Sequence, residues 1–490
     1  MKRLISMLLL AAFLAVPFAS CAKPAEGESE APGGIAANPA GEETETEPAE
    51  TVDPRLTVSD DLPDERYDGQ SFRIASEERS RFELTAEELT GDIANDAVYN
   101  RNLAVSERFG VTLEAVTVPD ATNAAVKTVS AGTRDYEIVS LINYQSGGAI
   151  VKNAFHNWYE VPLVDLGKPW WSSLIVQNST INGKAFTVTG DLAVTALTYT
   201  FGMFFNQKVC ADWGYPVESL HTMVYEDEWT VDRFTALVDA IYTDNNGNGE
   251  KDIEDTFGLG GDQWDAIDVW ISALGQPVSG RDENGFMTID LVSEKTVSVV
   301  EKMIALLHDS PGASLLYARG ESMFLAQDLL AFAPIMFNDC FGVLRDMESP
   351  YGILPMPKYD ETQQKYLTTL MDEFTTFGAL RSVPESELGF VGTVFTALNA
   401  ESYRKVYPAY YDVALKNKYS EDPETAKMID LIMEGRTFDP AFTFGTSYLN
   451  RFPYCIRDLV LQGSTDIASK YAASKSAVTK GLQKINGAYE

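Results

Sequence analysis

Histidine is nearly missing from this chain. Only His156, His221 and His308 occur in 490 residues, and none pairs with a Ser or Cys in a recognisable nucleophile motif. His156 and His308 read as ordinary surface or helix positions. There is no G-x-S-x-G, no H-E-x-x-H and no P-loop, so the commonest hydrolase, zincin and nucleotide-binding signatures are absent. Gly258-Leu259-Gly260-Gly261 is too weak to count as a nucleotide loop. Cysteine is scarce as well. After Cys21 only Cys210, Cys340 and Cys455 remain, far apart, odd in number and without metal or redox spacing. They are expected to behave as buried small hydrophobes. One disulfide stays open, and the sequence does not choose its pair. Basic residues are few: 38 Lys and Arg stand against 72 Asp and Glu, a net charge of -34. That argues against nucleic acid, whose phosphates call for cations, and against adhesion to anionic lipid by charge alone. Long apolar runs are missing beyond the first twenty residues, so no later segment is expected to span a bilayer.

What remains is a large chain with a hydrophobic share of 45 %, ordinary for a folded protein and enough for two domains. Lys2 and Arg3 followed by the apolar run Leu4 to Phe18 read as an export signal, residues 1–20. The run ends in Phe18-Ala19-Ser20-Cys21, similar to a bacterial lipobox with Phe18 in place of the usual Leu. Cleavage there would leave Cys21 as a lipid-bearing N-terminus at the extracellular face of the membrane. The alternative is an ordinary secretory signal with an incidental Cys. Residues 21–68 are rich in Glu, Pro, Ala and Thr and have almost no aromatics, so a disordered acidic tether is expected.

The folded part then alternates strands and helices. Phe72 to Ala75, Val111 to Val118 and Tyr136 to Leu141 read as strands, and Asn95 to Phe109 as an amphipathic helix between the first two. This pattern predicts an α/β fold with a parallel sheet. Ligands of such sheets sit beyond the carboxyl ends of strands, which makes Asn143 and Tyr144 site candidates. Further on, Leu197 to Asn206, Ala331 to Phe341 and Phe374 to Leu380 read as extended. From Ser386 onward the pattern is helical.

Trp229 to Gly258 carries two signals in series. Thr230 is an expected N-cap, and Phe234, Leu237, Val238 and Ile241 recur at helical spacing. Asp244 to Asp255 then has the spacing of an EF-hand calcium loop. Asp244, Asn246, Asn248, Asp252 and Asp255 stand at positions 1, 3, 5, 9 and 12, Gly249 at 6 and Glu250 at 7. A structural Ca2+ is expected on Asp244, Asn246, Asn248, Glu250, Asp252 and Asp255, with no organic cofactor. The alternative is a polar, Gly-rich surface turn.

Several segments, in order, resemble the extracellular solute-binding proteins, family 1, which deliver carbohydrates to ABC transporters and are maltose-binding-like in architecture. They are YDGQSFRI, NDAVYNRNLAVSERFGV, KPWW, INGKAFTVTGDLAV, FFNQKVCADWGYP, EWTVDRFTALVDAIYTDNNGNGEKDIEDTFG, YGILPMPKYDETQQKY and NAESYRKVYPAYYDVALKNKYSEDPETAKMIDLI. The resemblance implies a two-lobed, periplasmic-binding-protein-like class II fold with hinge-crossing strands. Crossings are expected near Thr198 to Asn206, Pro334 to Phe341 and Asp372 to Phe377. Lobe 1 would be 69–200 and 340–373, and lobe 2 203–336 and 376–490. A monomer that captures a carbohydrate and presents it to an ABC permease is the implied function, with the lipid as its sole membrane contact.

A sugar site needs aromatic platforms flanked by carboxylates, amides and Arg. The candidates are Tyr144, Trp170, Trp171, Asp191, Trp264, Asp265, Phe337, Asn338, Asp372, Tyr448 and Arg451. Each has a plain structural alternative. Tyr144 and one of the two adjacent tryptophans could simply pack a lobe, Asp191 could cap a turn, and Tyr448 and Arg451 could start a helix. No catalytic residue is assigned. Two rival classes stay open. One is a glycosidase-like secreted enzyme, which needs only two placed carboxylates. The other is a surface lipoprotein that binds polysaccharide without a transporter.

Overall fold

The alternation around Phe72 and the apolar run at Val139 become neighbouring strands in a computed structural model, which describes residues 53–289, 291–411 and 423–490. In chain order the strands begin with β1 (Gln70–Ser76), β2 (Val111–Thr117), β3 (Ile138–Ile142), β4 (Phe201–Asn206) and β5 (Tyr242–Thr243). Next come β6 (Thr256–Gly260), β7 (Ser279–Arg281), β8 (Met287–Ile289), β9 (Ala313–Ser314) and β10 (Leu330–Met336). The last are β11 (Tyr351–Leu354), β12 (Thr368–Thr369), β13 (Thr375–Ala379) and β14 (Arg436–Thr437).

The first sheet has the order β13-β3-β1-β2. β1 is parallel to β2 and to β3, and β13 is antiparallel to β3. The helix Ile93–Phe109 connects β1 to β2. It starts at Asp92, whose carboxylate accepts the N–H groups of Ala94 and Asn95, and stops at Gly110, where φ of +62° suits a residue without Cβ. All five residues of β3 are buried, as expected of a central strand covered on both faces. Trp158 stacks on Phe395 at 4.4 Å and donates its indole N–H to the Phe377 carbonyl at 2.9 Å, which fixes helix Leu388–Glu401 over β13.

The second sheet has the order β11-β4-β10-β6-β5, with β9 beside β6. β4 is antiparallel to both β10 and β11, and β10 is parallel to β6. Phe204, Phe257, Leu330, Ile353, Ile429 and Ile432 share one core there, so helix Pro423–Glu434 belongs to this sheet.

Strand pairing corrects the expected lobe boundaries. Residues 340–373 were assigned to lobe 1, yet β11 lies within them and pairs with β4 of the second sheet. Residues 376–490 were assigned to lobe 2, yet β13 pairs with β3 of the first. The chain does not cross at Pro334 to Phe341. Beyond β10 it turns through two short 3-10 helices and stays with the second sheet. It crosses through Thr368 to Asp372, where Thr200 bridges Leu370. Pairing partners are set by long-range packing, which hydrophobic periodicity does not encode.

The order also begins earlier than expected. Residues 54–68 are not part of a free tether. Asp60 is buried and paired with Arg108 at 2.6 Å and Arg404 at 3.4 Å, Arg404 donates to the Val58 carbonyl at 2.7 Å, and Leu62 is buried. The expected export signal, Cys21 and most of the expected tether lie outside the described residues. Cys210, Cys340 and Cys455 are buried free thiols, as small hydrophobes would be.

Three expected ligand contacts prove to be core. Trp170 is 1 % exposed and Trp171 4 %. Two adjacent tryptophans are both buried because the backbone turns between them, with Trp171 bridged to Gly190. Gly190 leaves no room for a side chain, since a Cβ there would stand 2.4 Å from the Trp171 ring. Phe337 is fully buried against Phe204. Replacing Trp171 by Ala is therefore expected to cost about 3–5 kcal/mol in a denaturant titration, whereas Trp264→Ala, at a half-exposed position, should cost under about 1 kcal/mol.

Candidate functional site

A narrow cavity opens where the crossing strand passes between the two sheets. Its lining comes from four places: Asn143 just past β3, Phe201 at the start of β4, the face Asp265, Asp268 and Ser272, and Thr369 to Asp372. Phe438, Asp439 and Phe442 close it.

Helix Asp265–Ala273 supplies most of the polar wall. It is set by Asp262, a buried carboxylate that accepts the N–H groups of Trp264 at 2.8 Å and Ala266 at 3.0 Å. Asp265, Asp268 and Ser272 are spaced i, i+3 and i+7, so they share one face. The opposite face, with Ile267, Trp270 and Ile271, is buried. Carboxylates in a first helical turn are favoured by the backbone dipole. Arg319 approaches Asp265 at 3.0 Å and Asp262 at 3.7 Å. Arg457, from helix Cys455–Leu461, grips Asp268 with two hydrogen bonds, one of 3.0 Å from Nε.

The crossing strand supplies Asp372. Its carboxylate accepts the Tyr454 hydroxyl at 2.9 Å, and its carbonyl accepts the Tyr144 N–H at 3.0 Å. The guanidinium carbons of Arg451 and Arg457 lie 4.8 and 4.9 Å from the Tyr454 ring centre. Asn143 is held by its N–H to the Phe374 carbonyl at 3.0 Å, and its side-chain oxygen accepts from Thr443 at 3.0 Å. Its amide nitrogen has no partner, although the residue is 3 % exposed. A buried donor left unmet is costly, and here it lines the cavity.

Burial pushes the Asp265 carboxyl up to about 7, against the pull of Arg319, and the nearby Asp262, Asp268 and Asp372 add to the rise. Burial likewise raises Asp268 to about 6, with Arg457 opposing. Asp372 is raised by burial, and its bond from Tyr454 opposes. Asp439 also lies here, but Ser279, Val278 and Ala441 saturate its oxygens, so it serves the scaffold.

The structure thus brings Asp265 and Asp372, both expected from sequence, to one cavity. Tyr144 stands beside it, its hydroxyl accepting from Gln145 at 2.8 Å. Trp264 presents a ring 46 % exposed at the helix start. Arg451 is exposed with φ of +58° and reaches the site through the Tyr454 ring. Asn338 is exposed and Tyr448 half-buried, and neither lines the cavity. Asp191 lies elsewhere, in a small separate cavity with Tyr407, Tyr410 and Arg436. Burial pushes its carboxyl up to about 7, against Arg436 and Arg55. Sequence reasoning missed Asp268, Tyr454 and Arg457. The i, i+3 recurrence of Asp265 with Asp268 and of Arg451, Tyr454 and Arg457 was the available signal.

No protein-family model matches the chain, and no curated relative matches it. Solved structures do match. A cyclic alpha-maltosyl-1,6-maltose binding protein from Arthrobacter globiformis superposes with a TM-score of 0.57 at 13 % identity, covering 85 % of this chain and 99 % of that one. The chain has the fold of the extracellular solute-binding proteins. A family 1 extracellular solute-binding protein from Bifidobacterium longum subsp. infantis gives 0.52 at 14 % identity, with 85 % and 100 % covered. A cyclo/maltodextrin-binding protein complexed with maltotetraose also gives 0.52, at 13 % identity, with 86 % and 97 % covered. The cavity forms a cleft between the two sheets of this fold.

The raised carboxyls of the cleft give the stability a pH dependence of definite sign. Folded Asp265 holds its proton up to about pH 7, whereas an unfolded Asp releases it near about 3.9. The folded state therefore binds more protons between these limits, and stability falls as pH rises through them. Asp265→Asn should lose less thermal stability than the parent between pH 5 and 7.5. Parallel declines would contradict the assignment.

Proposed function

We propose that the chain captures a carbohydrate in this cleft and presents it to the membrane subunits of an ABC importer. It would work from the outer face of the cell membrane, held there by lipid on Cys21. The observation that most directly supports capture is the orphaned amide of Asn143, a residue lining a cavity whose wall mixes carboxyls and hydroxyls with Phe, Leu and Met side chains. Such a wall offers donors and acceptors to hydroxyls and apolar faces to C–H groups. Two of the similar folds are named for binding cyclic alpha-maltosyl-1,6-maltose and cyclo/maltodextrin. The lipobox and the ordered family segments support anchoring and delivery.

The test is thermal unfolding against a library of mono- and oligosaccharides. A ligand that binds only the folded state adds RT ln(1 + [L]/Kd), about 2.7 kcal/mol at a hundredfold excess, a shift of degrees. Arg457→Leu should abolish that shift, because it releases Asp268 from its clamp. Recovery of unmodified sugar is expected, and cleaved sugar would favour the enzyme class.

We also propose that Asp244 to Asp255 binds a structural Ca2+. The loop is folded around its own side chains. Asp244 accepts the N–H groups of Gly247 at 2.7 Å and Gly249 at 2.9 Å, and the Asn246 and Asn248 amides both donate to Asp252. Asp255 is buried and accepts from Tyr242 and from the N–H groups of Asn245 and Asp252, while Glu250 is exposed. Among the described residues no three acidic, His or Cys side chains converge as a metal site. Binding therefore requires the two Asn amides to turn their oxygens inward and Asp255 to give up its present donors. Millimolar Ca2+ should raise the melting midpoint, chelator should reverse the rise, and Asp244→Ala should remove the response.

A further inference from the structure

The cleft holds more carboxyl groups than cations. Asp262, Asp265, Asp268 and Asp372 face Arg319 and Arg457. Arg319 is committed to Asp265 and Asp262, and Arg457 to Asp268. Glu373, next in the chain, already has Arg79 at 2.8 Å. Among the described residues no cation lies within ion-pair distance of Asp372, whose one side-chain partner is the neutral Tyr454 hydroxyl. Nor do the acidic groups converge as a metal site. A second observation is independent of charge: the buried amide nitrogen of Asn143, a residue that lines the same cavity, has no acceptor within the protein.

We propose that the solute taken by this cleft carries a protonated amine together with hydroxyls, as in an amino sugar or a short oligomer of amino sugars. The ammonium pairs with Asp372, and a hydroxyl oxygen accepts from Asn143. This rests on the reading of the cleft as a carbohydrate site and narrows it. An ammonium forms charge-assisted hydrogen bonds with a carboxylate, which a neutral hydroxyl does not match. A neutral sugar would instead leave the Asp372 carboxyl enclosed without a cation partner when the cleft fills. The chain's charge of -34 adds a field that draws cations to the cleft mouth. An amine without hydroxyls would leave Asn143 unmet.

The experiment is calorimetric titration of the whole chain at pH 7 and low salt with β-1,4-linked glucosamine dimer and tetramer, their N-acetylated forms, cellobiose, cellotetraose, maltotetraose and spermidine. The free amines are expected to bind about tenfold or more tighter than neutral sugars of equal length. In Asp372→Asn that preference should shrink to within about threefold. Equal binding of amine, N-acetyl and neutral forms by the parent chain would overturn the proposal while leaving carbohydrate capture intact. Spermidine as the tightest ligand would overturn it too, and no binding by any saccharide would overturn both readings. The parent-chain comparison stands even if the variant fails to fold.

Discussion

The crossing segment Thr368 to Ala379 is the constraint on which the rest of the molecule depends. Its first residues pair with β14, Leu370 bridges Thr200, and its last five form the edge of the first sheet. In between, the carbonyls of Asp372 and Phe374 hold the backbone of Tyr144 and Asn143. One stretch of backbone thus fixes both sheets against each other and sets the positions of a carboxylate and an amide in the cleft. A change in its path would move the scaffold and the site together.

The cleft's chemistry follows from where its acids stand. Asp265 and Asp268 lie in the first turn of a helix, where the backbone dipole favours negative charge, yet burial opposes that charge. Two arginines from distant parts of the chain settle the contest for these two residues. Asp372 feels the same two arginines, but neither stands within ion-pair distance of it. The difference between balanced and unbalanced carboxylates, more than their number, distinguishes this cleft from a surface acidic patch.

Local signals read well from sequence. Thr230 does cap its helix, the Asn95 to Phe109 helix and its flanking strands lie where the apolar spacing places them, and Asp265 and Asp372 line one cavity. What failed was what depends on partners far away. β11 and β13 are both short apolar strands, and nothing in either spells out which sheet it joins. Arg457 lies 189 residues from Asp268 in sequence, so neither residue advertises the other. Trp170 and Trp171 looked like ligand platforms because aromatics serve both purposes, and the turn at Gly190 that buries both is visible only in three dimensions. Asn143 gave a positional hint as the residue after a strand, but its unmet amide is a property of the packed fold.

The early docking of residues 54–68 has a mechanical consequence. A pull applied at Asp53 meets Asp60, which two arginines hold from different parts of the first-sheet layer, and Leu62 buried behind it. The load therefore falls first on the layer of the first sheet and reaches the second only through the crossing segment.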